Sequence, residues 1–493
     1  MAQINITNLT FAYDGNAENV FENINLSFDT TWKIGLIGRN GRGKTTLLNL
    51  LLKKYEYKGK ISSPLHFDYF PYIVQNKNQL AIDILYEMNP ECELWEVMKK
   101  MHTLELDEEC LYQPFDILSN GQQTKLLLAI LFSKENNFLL IDEPTNHLDS
   151  KSRECVKKFL NQQKGFIVVS HDRDFIDHCV DHIISINKKD IEIQKGNFTS
   201  WWQNKQNQDN FENEQNEKLK KEISRLQESM RQKITWSDKV ENTKNGTRIG
   251  GLKPDKGAIG HKAAKMAKHG KVMEARKNKS IEEKSKLLKN IEQQEKLSFN
   301  SQELNKESII EAKNLSLYYD SKCLFNPISF EVLKNDKIAI VGANGCGKTS
   351  LLKFILTENI QYHGSFYMDN KIKISYICQK YDNLKGTLID FVYENQLDQT
   401  KFFNMLFKLG FSREQFQISI DCFSEGQKKK VLIAKSLCEE ANLYIWDEPL
   451  NYIDVISRIQ IEELLKDSDI TLIFVEHDVT FIKNIATKIV EIK

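Results

Sequence analysis

Two lysines in matching surroundings are the first residues of this sequence that could do chemistry. Lys44 belongs to Gly38–Thr45, GRNGRGKT, and Lys348 to Gly342–Thr349, GANGCGKT. A Gly-x-x-x-x-Gly-Lys-Thr run between a strand and a helix turns backbone N–H groups inward around phosphates. The helix N-terminus behind it adds positive potential. Phosphate contacts are therefore expected from Gly38, Asn40, Gly41, Gly43, Lys44, Thr45 and Thr46, and again from Gly342, Asn344, Gly345, Gly347, Lys348, Thr349 and Ser350. Lys44 and Lys348 would reach the β- and γ-phosphates of a nucleotide, and Thr45 and Thr349 would ligate Mg²⁺. Asp142 and Asp447 end apolar runs and fit a magnesium carboxylate, direct or through water. One residue further on, Glu143 and Glu448 stand where a carboxylate can polarise an attacking water.

The same module occurs twice. LSNGQ at Leu118–Gln122 returns as FSEGQ at Phe423–Gln427, LLIDEP at Leu139–Pro144 as YIWDEP at Tyr444–Pro449, and the SHD around His171 as the EHD around His477. With the two lysine loops this makes four matched pairs at one nearly constant offset, which is a duplicated domain. Within each copy short apolar runs alternate with helical stretches, the pattern of an α/β domain. Lys33–Ile37 and Lys337–Val341 read as buried strands ending at the glycine-rich turns, and helices follow through Leu47–Leu52 and Leu351–Leu356. Phe138–Ile141 and Leu443–Trp446 read as strands ending in acid, and Phe166–Val169 and Leu472–Val475 as strands before the histidines.

Between the copies the charge changes character. Residues 204–300 hold 23 Lys and Arg against 14 Asp and Glu, and 231–289 hold 17 against 6, in a chain whose formal net charge is zero. Such a local positive block is the footprint expected of a segment that touches a phosphate backbone. Leu219, Ile223, Leu226, Met230 and Ile234 step by three and four along one helix face, and Ala264, Ala267, Leu288 and Ile291 offer a returning stripe. Gly246, Gly250, Gly251, Pro254, Gly257 and Gly260 break helix between them. Two antiparallel helices with a basic tip are the simplest solution. At the tip Lys244, Arg248, Lys253, Lys256, His261, Lys262, Lys265 and Lys268 could meet phosphates, and Trp236 could stack on a base or simply pack between the helices.

Composition sets the outer bounds. With 41% hydrophobic and 28% charged residues the chain reads as ordinary globular protein. No apolar run approaches the ~18–20 residues that span a bilayer, and MAQINITNLTF lacks the form of a secretory signal. Nine scattered cysteines without a C-x-x-C pair suit reduced thiols in a cytoplasm and argue against a zinc site.

L-S-x-G-Q before a helix, the glutamate after the acid-ended strand, NHLD at Asn146–Asp149 and the histidine His171 resemble the ATP-binding-cassette superfamily. That resemblance implies an α/β fold of two tandem ATP-binding-cassette (P-loop NTPase) domains joined by a long antiparallel α-helical hairpin linker, with boundaries at 1–202, 203–300 and 301–493. It implies two ATP and Mg²⁺, with each signature completing the opposite cassette's site. One nucleotide would lie between Gly38–Thr45 and Ser424, Gly426 and Gln427, the other between Gly342–Thr349 and Ser119, Gly121 and Gln122. His171 and His477 would be the switch histidines, and Tyr13 and Tyr319 match the aromatic that stacks on adenine. Gln379 stands where the family has its magnesium-sensing glutamine, whereas Tyr72 takes that place in the first copy, with Gln75 three residues later. FSEGQ and NYID also depart from the family pattern, so the two sites are expected to hydrolyse at different rates, in an order the sequence leaves open.

Three classes of machine use paired cassettes: a transporter motor, a DNA-repair or chromosome-organising ATPase, and a translation factor. The first has no use for a long basic insert, and the second carries zinc modules or far longer coiled coils. The whole chain is similar to the ABC-F family of ribosome-associated ATPases, and KVENTKNG with GGLKPDKGAIGHKAAKMAK in the linker is similar to its antibiotic-resistance branch, Lsa type. The near-equal spacings from Lys44 to Ser119 and from Lys348 to Ser424 leave no added arm, and the sequence stops at Lys493 after its last strand; both lean the same way. Membership implies a cytoplasmic monomer, with its cassettes paired intramolecularly, that works on the 70S ribosome. It would bind at the E site, touch 23S rRNA and P-site tRNA, and engage neither membrane nor DNA. It further implies dislodged lincosamides, pleuromutilins and streptogramin A compounds. A housekeeping or stress factor of the same fold is the alternative.

Overall fold

A computed structural model describes residues 2–14, 19–146, 148–187, 190–242, 297–299, 307–319, 322–343, 345–357, 359–379 and 384–492. The chain divides into two compact units, Met1–Trp201 with Gln294–Lys493, and Trp202–Gln293. The first unit holds both copies of the repeat.

Each copy is built on a parallel sheet with the same strand order. In the first copy that order is His66–Phe70, Asn137–Asp142, Phe166–Val169, Lys33–Ile37 and His182–Ile186, with Ile191–Lys195 added antiparallel at the edge. In the second it is Ile374–Ile377, Leu443–Asp447, Leu472–Val475, Lys337–Gly342 and Lys488–Ile492. The central strands are nearly continuous apolar runs because helices or a second sheet cover both faces. Ile34, Leu36, Phe138, Leu140, Ile167 and Ile184 sit in one core, and Ile338, Ile340, Leu443, Ile445 and Ile473 in its counterpart. A smaller antiparallel sheet flanks each copy, Phe21–Asp29, Gln3–Phe11 and Lys58–Ser62 in the first, and strands paired on Ser308–Tyr319 in the second.

The strand order has a chemical consequence. The strands before Gly38, Glu143 and His171 are neighbours and run in one direction, so all three turns emerge at one sheet edge. Open parallel sheets bind ligands at that carboxyl edge. The second copy does the same with Gly342, Glu448 and His477.

Helix Phe198–Asn242 is 45 residues long, which at 1.5 Å per residue is about 67 Å. It starts where Asn197 accepts from the backbone N–H of Ser200 at 3.0 Å, a side-chain cap. Phe198 and Trp201 are buried, whereas Phe211 is exposed further along. The helix begins inside the stretch expected to belong to the first cassette. Trp236 falls within it, but its side chain lies outside the described residues. So do Lys244, Arg248, Lys253, Lys256, His261, Lys262, Lys265, Lys268, the glycine-rich tip and the expected returning helix.

The most deeply buried ion pair lies in the second copy. Lys430 Nζ stands 2.6 Å from Asp454 Oδ2, and Asp454 Oδ1 caps the helix Val455–Asp467 by accepting from Ser457 N at 2.9 Å. Removing one partner of a buried pair leaves an uncompensated charge and costs about 3–5 kcal/mol. Asp454→Asn keeps the capping oxygen but removes the countercharge. It should therefore lower the stability of the second cassette by that amount in urea denaturation, whereas Asp149→Asn in the first copy should cost less.

Candidate functional site

The two glycine-rich turns are shaped by glycines that no other residue replaces. Gly43 caps helix Lys44–Leu51 at φ 89°, and a Cβ there would lie 2.9 Å from both Phe21 and Val20. Gly347 repeats this at φ 98°, with Phe325 at 3.0 Å. Each lysine folds back over its own loop. Lys44 Nζ donates to Gly38 O at 2.7 Å and Arg39 O at 3.3 Å, and Lys348 Nζ to Gly342 O at 2.9 Å and Ala343 O at 2.8 Å. Tyr13 shares a hydroxyl hydrogen bond of 2.7 Å with Thr46 and packs edge-on to Phe11 and Tyr55. Tyr319 is half exposed. Asn344 lies outside the described residues.

At the acid-ended strands the copies diverge. In the first, Asp142 Oδ2 accepts from Thr45 Oγ1 at 3.1 Å and from the Tyr69 hydroxyl at 3.0 Å. Burial and the neighbouring Asp142 charge push the Tyr69 hydroxyl well above the usual phenol range. In the second, Asp447 is fully buried and neither carboxylate oxygen has a geometric hydrogen-bond partner among the described residues. Burial pushes Asp447 up to about 6, against the pull of Thr349. A buried carboxylate beside a threonine hydroxyl is the hard-oxygen donor set that suits Mg²⁺. Thr45 and Asp142 supply the corresponding pair in the first copy.

Both glutamates adopt left-handed backbone, Glu143 at φ 52° and Glu448 at φ 48°. Their N–H groups donate to Val169 O at 2.9 Å and Val475 O at 3.1 Å, on the strand that leads to the histidine. A non-glycine residue held there stores strain and is fixed by its surroundings. Around Glu448 those surroundings are polar. Gln379 Nε2 donates to Oε2 at 3.0 Å, Asn451 Nδ2 donates to the same oxygen at 2.6 Å, and His477 Nε2 lies 3.5 Å from Oε1. Burial works to raise this carboxyl, but the bonds from His477 and Gln379 more than reverse it, to about 2.

Glu143 has His171 Nε2 at 3.2 Å, yet its Oε1 makes no directed hydrogen bond. Burial and then the Asp142 charge push it up to about 8, against Arg458 and Lys44. His171 itself is held far below its ordinary range, first by burial and then by the Lys44 and Arg458 charges. Sheet register explains the missing amide. Phe70 pairs with Ile141 as Ile377 pairs with Trp446, so Tyr72 and Gln379 correspond in being two residues past that pair. Its hydroxyl turns to Glu87 Oε1 at 3.3 Å instead.

The signatures are helix caps as well as loop ends. Ser119 Oγ accepts from Gln122 N at 3.3 Å while Gln122 Oε1 accepts from Ser119 N at 2.9 Å, and Ser424 with Gln427 repeats both distances. This reciprocal box leaves the first-turn amides of each helix directed outward. The second signature meets the first phosphate loop across the cassette boundary. Asn40 Nδ2 donates to Tyr452 O at 2.7 Å and Asn40 N to Asp454 Oδ2 at 3.3 Å. A Cβ on Gly426 would lie 2.2 Å from Asn40 Nδ2 and 2.4 Å from Tyr452 O, so only glycine allows this approach. Arg173 and Glu462 form a further ion pair between the copies. On the other side, Arg153, Lys157, Asp172 and Phe175 face His477 and Val479 across a small cavity.

Sequence reasoning noted Asn451 and Asp454 only as the ends of NYID, and passed over Tyr69, Lys430 and the pairs Arg153–Asp172 at 3.5 Å and Arg458–Asp478 at 3.6 Å. The last two carried a usable signal, since both members recur in the repeat at the same register as the motifs.

Similarity to known proteins agrees with this architecture. The ABC transporter family model matches residues 21–146 and 325–451. The chain is 29% identical over 485 residues to the ribosome protection protein VmlR of Bacillus subtilis (strain 168), covering 97% of this chain and 85% of that protein. It is 29% identical over 479 residues to the erythromycin resistance ATP-binding protein MsrA of Staphylococcus epidermidis, covering 92% and 91%. The crystal structure of the complex of archaeal ribosomal stalk protein aP1 and archaeal ribosome recycling factor aABCE1 shares the fold, with a TM-score of 0.61 at 17% identity over 98% of this chain and 87% of that one.

Two predictions test the site. Glu143→Gln and Glu448→Gln should each slow ATP turnover, and together they should reduce it at least about 100-fold, the range of general-base catalysis. Gly426→Ala, which forces Asn40 away, should lower turnover about tenfold or more. Binding of a fluorescent ATP analogue to the second phosphate loop should persist in that variant.

Proposed function

The chain belongs to the ABC transporter family, an ABC-F-type ATP-binding protein with two ATPase cassettes, and from that premise we propose that ATP closes it onto the ribosome to protect translation from antibiotics. The observation that carries this reading is that one chain supplies both faces of the first phosphate site, Asn40 against Tyr452 and Asp454, with a strongly basic segment built into the connection. A nucleotide binding there bridges the cassettes, and its hydrolysis removes the bridge. The names of VmlR and MsrA, a ribosome protection protein and an erythromycin resistance protein, support the choice of partner.

In this reading Lys44 and Lys348 bind the β- and γ-phosphates, and Tyr13 and Tyr319 stack on adenine. Ser119, Gly121 and Gln122 close on the Gly342–Thr349 nucleotide, and Ser424, Gly426 and Gln427 on the Gly38–Thr45 nucleotide. Glu143 and Glu448 orient the attacking water, and His171 and His477 hold those glutamates. Thr45 with Asp142, and Thr349 with Asp447 and Gln379, would hold Mg²⁺. When bound, the ion neutralises charge on the β- and γ-phosphates.

The segment 203–300 is the ribosomal probe. It enters from the E site, touches 23S rRNA and shifts P-site tRNA, so that lincosamide, pleuromutilin or streptogramin A is lost. Hydrolysis then releases the protein. A cytoplasmic, monomeric protein follows from the same reading. Among the described residues no helix is long and apolar enough to cross a membrane, and the basic insert sets the chain apart from a transporter motor.

The test is co-sedimentation of the Glu143→Gln, Glu448→Gln double variant with ribosomes in ATP. Binding is expected at low salt and should weaken at least about tenfold between about 50 and 200 mM salt as phosphate counterions are displaced. Failure to sediment even in dilute buffer overturns the ribosomal reading. Deleting 246–262 should abolish drug tolerance while ATPase activity persists; retained tolerance would remove the tip from the mechanism.

A further inference from the structure

Lys429 is a buried lysine that the site as described does not use. It is 1% exposed on the signature helix Glu425–Cys438, and burial pulls its ammonium below the usual lysine range against the nearby Glu476 charge. Its Nζ donates to Cys378 O at 3.0 Å and to Asp447 O at 3.2 Å. Those carbonyls belong to the residues immediately before Gln379 and Glu448. One ammonium therefore joins the ends of two neighbouring strands at the point where Gln379 Nε2 meets Glu448 Oε2 at 3.0 Å.

Glu476 works on the other side of the same turn. It accepts from Leu450 N at 2.8 Å and from His477 N at 3.1 Å, so it links the segment following Glu448 to the residue beside it. The first copy has neither group. Thr124 stands five residues past the signature serine, as Lys429 does, and Ser170 precedes His171 as Glu476 precedes His477. There Ser170 Oγ bonds Thr145 Oγ1 at 3.2 Å, a neutral hydroxyl pair. The tyrosine at position 72 turns away to Glu87. A buried charge is expensive where an apolar side chain would pack as well, so its appearance in one copy, beside the amide bonds that Gln379 and Asn451 make to Glu448, calls for a task.

We propose that Lys429 is a positioning residue of the second cassette: by clamping Cys378 O and Asp447 O it holds Gln379 against Glu448, and the site at Gly342–Thr349 is thereby the faster of the two. This rests on the reading of Glu448 as the water-orienting carboxylate.

The experiment uses the full chain with one site silenced at a time. In a Glu143→Gln background, Lys429→Met should lower kcat for ATP about 10- to 100-fold, with KM within about twofold, because the clamp acts on the attacking geometry rather than on phosphate binding. In a Glu448→Gln background the same substitution should cost the residual turnover several-fold less than that. Lys429→Arg, which keeps the donors, should restore most of the lost kcat, whereas Lys429→Thr, the residue type of the first copy, should not. Equal loss in both backgrounds, or an arginine variant that folds and is as slow as methionine, overturns the proposal. If Lys429→Met fails to fold, the arginine and threonine variants carry the same comparison. Should Glu448→Gln leave turnover unaltered in the Glu143→Gln background, it is the assignment of Glu448 that fails, a result distinct from failure of the clamp.

Discussion

Asp454 is the residue on which the closed pair of cassettes depends. It has no exposed surface, and its two oxygens serve four donors. Oδ1 caps its own helix through Ser457 N, while Oδ2 accepts from Lys430 Nζ, Ser457 Oγ and, across the cassette boundary, Asn40 N. Within one carboxylate the signature helix, the segment after Glu448 and the first phosphate loop are tied together. The Lys430 and Lys44 charges overcome the effect of burial and hold this carboxyl far below the ordinary range. A neutral side chain of the same shape could pack there, but it could not draw a lysine and the amide of an opposing loop to the same point.

The glutamates show how a rigid sheet edge is used to hold a reactive group. Glu143 and Glu448 each sit one residue beyond a strand, in left-handed backbone that costs about 1–3 kcal/mol. The cost is offset by a hydrogen bond to the next strand and by the packing of the buried central strands around it. Turning the chain this way aims the carboxylate at its histidine, 3.2 Å away in one copy and 3.5 Å in the other. The backbone arrangement is the same twice, so what differs between the two sites is carried by the side chains that reach the glutamates.

The sequence made the strands and loops legible because they rest on local signals. Phe166–Val169 and Leu472–Val475 were readable from apolar run length, and the edge at which they end follows from the doubled motif. The capping roles of Ser119 and Ser424 were implicit in the S-x-x-Q spacing but hidden behind the phosphate reading. Other features had no local signal. Nothing in IDEP or WDEP announces left-handed backbone at a glutamate. Asn40 reaches Tyr452 across more than four hundred residues, a contact that periodicity cannot report. Lys429 stands in a run of three lysines, a type of residue usually left in water, yet two of the three are buried in the structure.

Duplication explains why the two sites can differ without disturbing the fold. The parts shared by the copies are those that backbone geometry requires: glycines at turns, serines and glutamines at caps, the Arg153–Asp172 and Arg458–Asp478 pairs. The parts that differ are polar side chains placed on that common frame. Tyr72 and Gln379 each stand two residues past the same strand pair, so the tyrosine-for-glutamine difference leaves the paired strands alike and changes which group is available to the glutamate. In the first copy a tyrosine hydroxyl and a threonine hydroxyl occupy Asp142; in the second Asp447 is left open and Glu448 takes the donors. Hydrogen-bond donors are therefore directed to the aspartate in one copy and to the glutamate in the other.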